Sequence, residues 1–185
     1  MNYFRIGFIS VFVFCAASTL WADKSSDTPL KDSIFFNVGG SLNAINTQGV
    51  NFGVGFGFGL SALTQFVLDA NLDNFPTING QQTQRTITLL PNIRFRFLAK
   101  DNPVVPYLIG GIGVAYGEQD ALTYGGSVTY PATSSVNAVT RLGLGMDIRL
   151  DELTALYLED NENILLGGYG NWSYNSLRLG GKLNL

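Results

Sequence analysis

Nine charged residues stand at alternate positions in segments where polar and apolar side chains alternate. They are Asp69, Asp73, Arg94, Arg96, Arg141, Asp147, Arg149, Arg178 and Lys182. If these segments are strands, alternate positions point to one face, and the pattern predicts that all nine charges share one polar side. Such a set suits either an ion pathway or ligand site, or a network in which each buried charge is neutralised by another.

The residues that most catalytic and metal sites need are missing. The chain has no histidine and one cysteine, Cys15, so a Ser-His-Asp triad and a histidine-based zinc site are excluded. No dinucleotide-binding or phosphate-binding glycine motif occurs, because Gly111 and Gly113 are followed by Gly117 at the wrong spacing. We therefore predict a protein that is not an enzyme and has no cofactor and no metal site.

The N-terminus has the three-part layout of a secretory signal peptide. Arg5 precedes an apolar run, and Leu20-Trp21-Ala22 precedes the polar sequence DKSSD. We predict a leader at 1–22, cleaved after Ala22, and a periplasmic lead-in at 23–32. Cleavage after Ala17 and an uncleaved anchor are the alternatives. Loss of Arg5 leaves 14 acidic and 10 basic residues, a net charge of about −4, which argues against a nucleic-acid partner.

The stretch GVNFGVGFGFGL, at Gly49 to Leu60, alternates without a break. Its valines, phenylalanines and leucine fall on one face, whereas the other face has Asn51, Gly53, Gly55, Gly57 and Gly59. A helix would spread these apolar residues around its axis, whereas a strand separates the two sets. An apolar face opposite a small, polar face is typical of a strand with lipid outside and a crowded polar interior.

The same alternation predicts eight strands in all. They lie at 33–44, 49–60, 65–73, 86–97, 104–117, 136–150, 154–158 and 174–185. Strands can span a membrane only as a closed barrel, because every backbone group must be paired there. We predict an all-β fold, a single closed antiparallel transmembrane barrel at 33–185. Short turns should lie at one end and mostly longer loops at the other. A ten-strand barrel, with an extra hairpin at 124–130, is the alternative.

Two segments carry a family resemblance. The run NPVVPYLIGGIGVAYG, ending at Gly117, and GLGMDIRL at 143–150 resemble strands of the small outer-membrane protein β-barrel superfamily, which includes OmpA-type transmembrane domains, OmpX and opacity-type proteins. The resemblance implies a Gram-negative outer-membrane location and recognition of the C-terminal strand by assembly machinery. That superfamily usually ends in an aromatic residue, whereas this chain ends in Leu185. Lipid A deacylases of this architecture use a His-Ser pair, which this chain lacks.

The interior of an eight-stranded barrel is just wide enough for side chains, which favours a paired network over an ion pathway. We expect Asp69 to pair with Arg94 or Arg96, and Asp147 to be shared by Arg149 and Arg178. The glycines of the second strand are expected to leave room for these arginines. Phe36, Phe97, Tyr107, Tyr116, Trp172 and Tyr174 are expected to form aromatic girdles at the two lipid–water interfaces.

Three functions fit these patterns. The first is a non-enzymatic outer-membrane barrel, embedded in lipid, with a structural role or an extracellular partner at its loops. The second is a narrow channel in which Arg94, Arg141 and Arg178 favour anions. The third is a soluble periplasmic lipocalin-like carrier, which requires Phe56 and Phe58 to point inward.

Overall fold

The computed structural model describes residues 30–43, 47–76, 83–97, 102–124, 127–167 and 173–185, and these form ten strands. The strands are β1 (Ser33–Asn43), β2 (Gln48–Gly59), β3 (Thr64–Phe75), β4 (Gln84–Arg96), β5 (Val104–Gln119), β6 (Leu122–Tyr124), β7 (Ser127–Tyr130), β8 (Thr133–Arg149), β9 (Thr154–Leu166) and β10 (Tyr174–Asn184). Within the described ranges, no helix has the length and apolar character needed to cross a membrane.

Eight of these strands close into one antiparallel barrel in the order β1-β10-β9-β8-β5-β4-β3-β2. The predicted all-β barrel of eight strands is confirmed. When paired residues are followed once around the barrel from Ser33, the path returns to β1 at Asn43, ten residues further along. This displacement is the shear of the barrel, and it sets a strand tilt of about 40° and a narrow interior.

The extra hairpin of the ten-strand alternative exists, but it lies outside the barrel. Strands β6 and β7 pair only with each other as a separate two-stranded sheet in the connection from β5 to β8. This hairpin extends the longest connection, so the structure supports the eight-strand count.

The two ends of the barrel differ. At one end, which we call the turn end, the chain reverses at 60–63, 97–103 and 150–153. At the other, the loop end, the connections are 44–47, 76–83, 120–132 and 167–173. The lead-in is attached at the turn end, where the Leu30 amide donates to the Ser61 carbonyl over 3.0 Å. The predicted leader at 1–22 lies outside the described residues, as does most of the lead-in.

The alternation in β2 sorts its side chains as predicted. Phe56 and Phe58 lie on the outer surface and are about half exposed, whereas Asn51 is buried inside. The carrier hypothesis is therefore wrong on this point, because it required Phe56 and Phe58 to line an apolar interior. The facing of β5, which the sequence left open, is also resolved. Tyr107 and Ile109 point inward, and Leu108 and Ile112 point outward.

Strand β9 is longer than predicted. The sequence pattern ended it at Leu158, but it continues to Leu166 and pairs with both β8 and β10 along this length. The alternation past Leu158 was obscured because Asp160 and Glu162 occupy outward positions, so both faces of this segment carry polar residues.

Candidate functional site

The interior of the barrel holds eight of the nine charged residues that the sequence singled out. Buried on the inner face are Asp69, Asp73, Arg94, Arg96, Arg141, Asp147, Arg178 and Lys182, none more than 6% exposed. They come from β3, β4, β8 and β10, whose alternation directs them inward. The ninth, Arg149, is half-buried at the turn end.

Asp147 gathers three cations near the turn end. Its Oδ2 accepts from Arg96 Nη2 at 2.6 Å and from Lys182 Nζ at 3.5 Å, and its Oδ1 accepts from Arg94 Nη1 at 3.4 Å. The three basic residues come from β4 and β10, and Asp147 comes from β8. One carboxylate therefore links three strands across the interior.

Arg94 fills the centre of the next layer. Its guanidinium carbon lies 4.0 Å from the centre of the Tyr107 ring and 4.6 Å from that of Phe35, and Nη2 donates to Glu159 Oε2 at 3.2 Å. The Tyr107 hydroxyl donates to the same Glu159 oxygen at 2.9 Å. Tyr157 closes the layer, edge-on to Phe35 with ring centres 5.9 Å apart. Arginine stacked on aromatic rings in a dry site is strongly held.

A second ion pair spans the middle of the barrel. Arg141 Nη1 donates to Asp69 Oδ2 at 2.7 Å, and Arg141 Nε donates to Asn163 Oδ1 at 2.9 Å. Beside it, Arg178 lies 3.9 Å from Glu159, which is therefore shared with Arg94. Arg94 and Arg141 are thus balanced by acids from strands that are not adjacent to their own, whereas Arg178 and Glu159 lie opposite each other on the neighbouring strands β10 and β9.

Asp73, nearer the loop end, is held by neutral donors. Its Oδ1 accepts from Ser41 at 2.5 Å and from Asn51 at 2.8 Å, and its Oδ2 accepts from the Tyr174 hydroxyl at 2.8 Å. Hydrogen bonds to an ionised carboxylate are stronger than those between neutral groups. This cluster therefore fixes the loop-end half of the interior.

Two predicted pairings are wrong, because the strand register differs from the one assumed. Asp69 lies opposite Leu90 on β4, whereas Arg94 lies opposite Gln65, nearer the turn end. Asp69 instead reaches across the barrel to Arg141. Asp147 binds Arg94, Arg96 and Lys182, where the sequence suggested Arg149 and Arg178.

Sequence reasoning missed Glu159 and misplaced two tyrosines. Glu159 was overlooked because the predicted strand ended at Leu158, one residue before it, whereas β9 continues to Leu166. Tyr107 and Tyr174 were expected in the outer aromatic girdles, but both are buried inside and hydrogen-bond to carboxylates. The sequence feature that could have placed them is the alternation within β5 and β10, in which both tyrosines occupy inward-facing positions. Their nearness to the strand ends was a weaker guide. Trp172 lies outside the described residues.

The inward glycines make room, but for residues other than the expected arginines. A Cβ at Gly55 would touch Asp69, one at Gly53 would touch Asn37 and Asn71, and one at Gly57 would touch Gln65 and Phe35. The small face of β2 therefore admits polar and aromatic side chains from β1 and β3.

A cavity of about 340 Å³ opens at the turn end. Its lining residues include Arg96, Asp147, Arg149 and Lys182. The cavity therefore extends inward as far as the charged residues around Asp147, on the turn-end side of Arg94. In the part of the chain that the structure describes, no group of three or more acidic, histidine or cysteine side chains is placed to hold a metal ion. The chemistry that this interior supports is mutual charge neutralisation.

Comparison with solved structures identifies the fold. Neisserial surface protein A matches with a TM-score of 0.68 and 11% identity, over 86% of this chain and 100% of that one. Ail, the attachment invasion locus protein of Yersinia pestis, matches with a TM-score of 0.56 and 9% identity, over 86% and 100%. The outer membrane enzyme PagL matches with a TM-score of 0.51 and 15% identity, over 83% and 99%.

No protein-family model matches the sequence, and the search of curated proteins also found no match. At these identities the structural likeness establishes the fold alone, and this fold is an eight-stranded antiparallel barrel of the kind that small outer-membrane proteins have, as the sequence resemblance predicted. Since surface proteins and an enzyme share it, function has to be argued from the interior and the surface of this chain.

Proposed function

We propose that this protein is a non-enzymatic integral barrel of the Gram-negative outer membrane, with a sealed interior and a structural or surface-interaction role at its loop end. In this proposal a cleaved signal peptide exports the chain. Assembly machinery then recognises the C-terminal strand, β10, and the folded barrel is held in outer-membrane lipid.

The observation that carries the proposal is the layer around Arg94. Side chains from five strands meet there: Phe35 from β1, Arg94 from β4, Tyr107 from β5, Asp147 from β8 and Glu159 from β9. Each is at most 4% exposed, so the layer occupies the cross-section of the barrel. A barrel filled in this way serves as a rigid scaffold and leaves recognition to its connecting loops.

The outer surface supports insertion into lipid. Large apolar side chains are exposed on every barrel strand; examples are Phe36, Phe52, Leu72, Ile93, Ile112, Leu142, Ile164 and Leu179. A soluble protein of this size rarely exposes a continuous apolar surface, whereas an outer-membrane barrel requires one about 25 Å tall.

A surface role is supported by what the loop end offers. The longest connection contains the β6–β7 hairpin, which stands outside the barrel sheet. Ail, which has a similar fold, is named the attachment invasion locus protein of Yersinia pestis. PagL shows that the fold also hosts an enzyme, but the absence of histidine here argues against a histidine-dependent activity.

Two measurements test the proposal. Cell fractionation should find the protein in the detergent-resistant outer membrane; recovery in the soluble periplasm would refute the location. Planar-bilayer recording of the refolded protein should show no steady unitary conductance. Steady conductance that falls when Arg141 is replaced by alanine would favour the narrow anion channel instead.

A further inference from the structure

The charges buried inside the barrel do not balance. Among the described residues, the interior holds five buried cations and four buried acids. The cations are Arg94, Arg96, Arg141, Arg178 and Lys182, and the acids are Asp69, Asp73, Asp147 and Glu159. A charge held in a dry interior is costly unless an opposite charge neutralises it. The network therefore has one cation more than its own carboxylates neutralise.

The excess lies at the turn end of the network. From the layer around Arg94 towards the loop end, the numbers are equal: Arg94, Arg141 and Arg178 against Asp69, Asp73 and Glu159. On the turn-end side, Asp147 is the one buried acid among the described residues. It accepts from Arg96 at 2.6 Å and from Lys182 at 3.5 Å. One carboxylate thus serves two buried cations there, and one positive charge is left over.

Both of these cations line the cavity of about 340 Å³ at the turn end, which we call the turn-end cavity. Lys31 and Arg149 add two positive charges to its wall, and Glu152 adds one negative charge. Neither Lys31 nor Arg149 forms an ion pair within the described ranges. The wall carries four cations against two acids, Asp147 and Glu152, and so has an excess of two positive charges.

Arg96 supplies an unsatisfied donor beside this cavity. Its side chain is 6% exposed, and its Nη2 is bound to Asp147. Its Nε is buried and has no hydrogen-bond partner in the part of the chain that the structure describes. A buried donor without a partner is unfavourable, and hydrogen bonds from a guanidinium to an anion are among the strongest in proteins. Charge and hydrogen bonding therefore both favour an anion at this position.

We propose that the turn-end cavity binds a phosphomonoester, whose phosphate group lies among the four cations of the wall. A phosphomonoester carries a charge of about −1.5 to −2 at neutral pH, which matches the excess of two positive charges. Guanidiniums bind phosphate oxygens in a forked geometry, and lysines add point charges. The apolar residues of the wall, which suit the organic part of such a ligand, are Leu30, Val105 and Ala155.

The size of the cavity favours an organic ligand over a single inorganic ion. Its volume of about 340 Å³ lies within the range of small-molecule sites, about 300–1,000 Å³. In the proposed orientation the turn end faces the periplasm, where a soluble phosphomonoester or a phosphomonoester lipid headgroup can reach the cavity. This access rests on the proposed outer-membrane location, whereas the cavity belongs to the folded barrel itself.

The test uses the mature protein in phosphatidylcholine nanodiscs at neutral pH, which leave both ends of the barrel accessible. Glycerol 3-phosphate is the probe, and titration calorimetry measures its binding. Glycerate, which is similar in size but has a single negative charge, should bind at least about tenfold more weakly. Absence of binding to folded wild type, or equal affinities for the two compounds, would overturn the proposal.

A double variant, Lys31→Gln with Arg149→Gln, removes the two cations of the wall that form no ion pair. The barrel should keep its fold, and its affinity for glycerol 3-phosphate should fall at least about tenfold. Arg85→Gln is the matched control, because it removes an exposed cation at the loop end and should bind like wild type. Circular dichroism verifies the fold of each variant. Wild-type affinity in the folded double variant would exclude the turn-end cavity as the binding site.

The source of the phosphate group is tested with two kinds of anionic nanodisc. One contains phosphatidic acid, a phosphomonoester lipid, and the other contains phosphatidylglycerol, a phosphodiester lipid. A weaker affinity for glycerol 3-phosphate in the phosphatidic acid discs would show that the lipid headgroup competes for the cavity, whereas equal affinities would assign a soluble ligand. Either result supports a phosphomonoester site. Since nanodiscs are assembled from purified protein, failure to bind refutes this site alone, and cell fractionation still decides the location.

Discussion

Asp69 on β3 and Arg141 on β8 form a 2.7 Å ion pair across the interior, joining residues that are 72 positions apart in the chain. The two strands are not neighbours in the sheet, since β4 and β5 lie between them. The pair can therefore form only when the barrel is closed, and its strength depends on how dry the barrel interior is.

We expect Asp69→Asn or Arg141→Gln alone to lower the free energy of unfolding by roughly 3–5 kcal/mol, because each leaves a buried charge without its partner. The double variant should cost less than the sum of the two. Urea-dependent folding into lipid vesicles measures all three values, and the double-mutant cycle gives the coupling. The exposed pair Arg85–Glu118 is the control, with a coupling of about 0.2–1 kcal/mol. A comparably small coupling for Asp69 and Arg141 would indicate a hydrated interior.

Gly145 tests the packing of the layer around Arg94. A Cβ at this position would overlap the Tyr107 ring, so we expect Gly145→Ala to cost roughly 1–3 kcal/mol by overpacking. Gly181→Ala is the matched control, because nothing lies within 4 Å of its Cβ position. It should be neutral or slightly stabilising. Equal stabilities of the two variants in the vesicle-folding assay would mean that Tyr107 moves freely.

Arginine placed on the outer surface tests which side chains of the barrel face lipid. Val54→Arg should cost roughly 2–4 kcal/mol, because its outward neighbours Phe36 and Ala70 offer no acceptor. Leu144→Arg should cost less, by on the order of 1 kcal/mol, because Asp160 lies directly opposite on β9. Adding Asp160→Asn to Leu144→Arg should remove that difference. If Leu144→Arg costs as much as Val54→Arg, then Asp160 does not stabilise an arginine at position 144.

Asp151 gives the turn from β8 to β9 a dependence on pH. Its carboxylate accepts from the amides of Leu153 and Thr154 at 2.7 and 2.8 Å and from the Thr154 hydroxyl, and the hydroxyl and these amides lower its pKa. Because the pKa of Asp151 is lowered in the folded state, its ionised carboxylate stabilises the turn at pH values above the unfolded-state pKa of about 3.9. This stabilisation is lost as the pH falls through the folded-state pKa. Wild type should therefore be more stable than Asp151→Asn at pH 6, and the difference should vanish by about pH 2. A difference that does not change with pH would exclude the carboxylate as its source.

The parts of the fold that could be predicted are those where the two faces of a strand differ in character. β2 sets Phe56 and Phe58 against glycines, so its outer face was clear from the sequence. β5 carries apolar residues and glycines on both faces, so parity alone could not orient Tyr107. The length of β9 could not be predicted for a different reason. Asp160 and Glu162 face outward, so polar residues occupy both faces and the segment resembles a loop.

Pairing partners could not be predicted because they depend on the register around the whole barrel. Shifting one strand by two residues keeps every side chain on its face but changes its neighbours. This is why the inward position of Asp69 could be foreseen, whereas its partner Arg141, three strands away around the barrel, could not.

The seam between β1 and β10 bears on how the chain reaches this state. Ser33 pairs with Asn184 there. The outer backbone groups of the first strand therefore have no hydrogen-bond partners until the last strand has formed. Until β10 docks, β1 and β9 expose unpaired backbone groups that can recruit other chains. Contacts between residues so distant in sequence also form slowly. During folding of this barrel, closure therefore competes with aggregation. Which process prevails depends on what covers the two open strand edges before β10 docks.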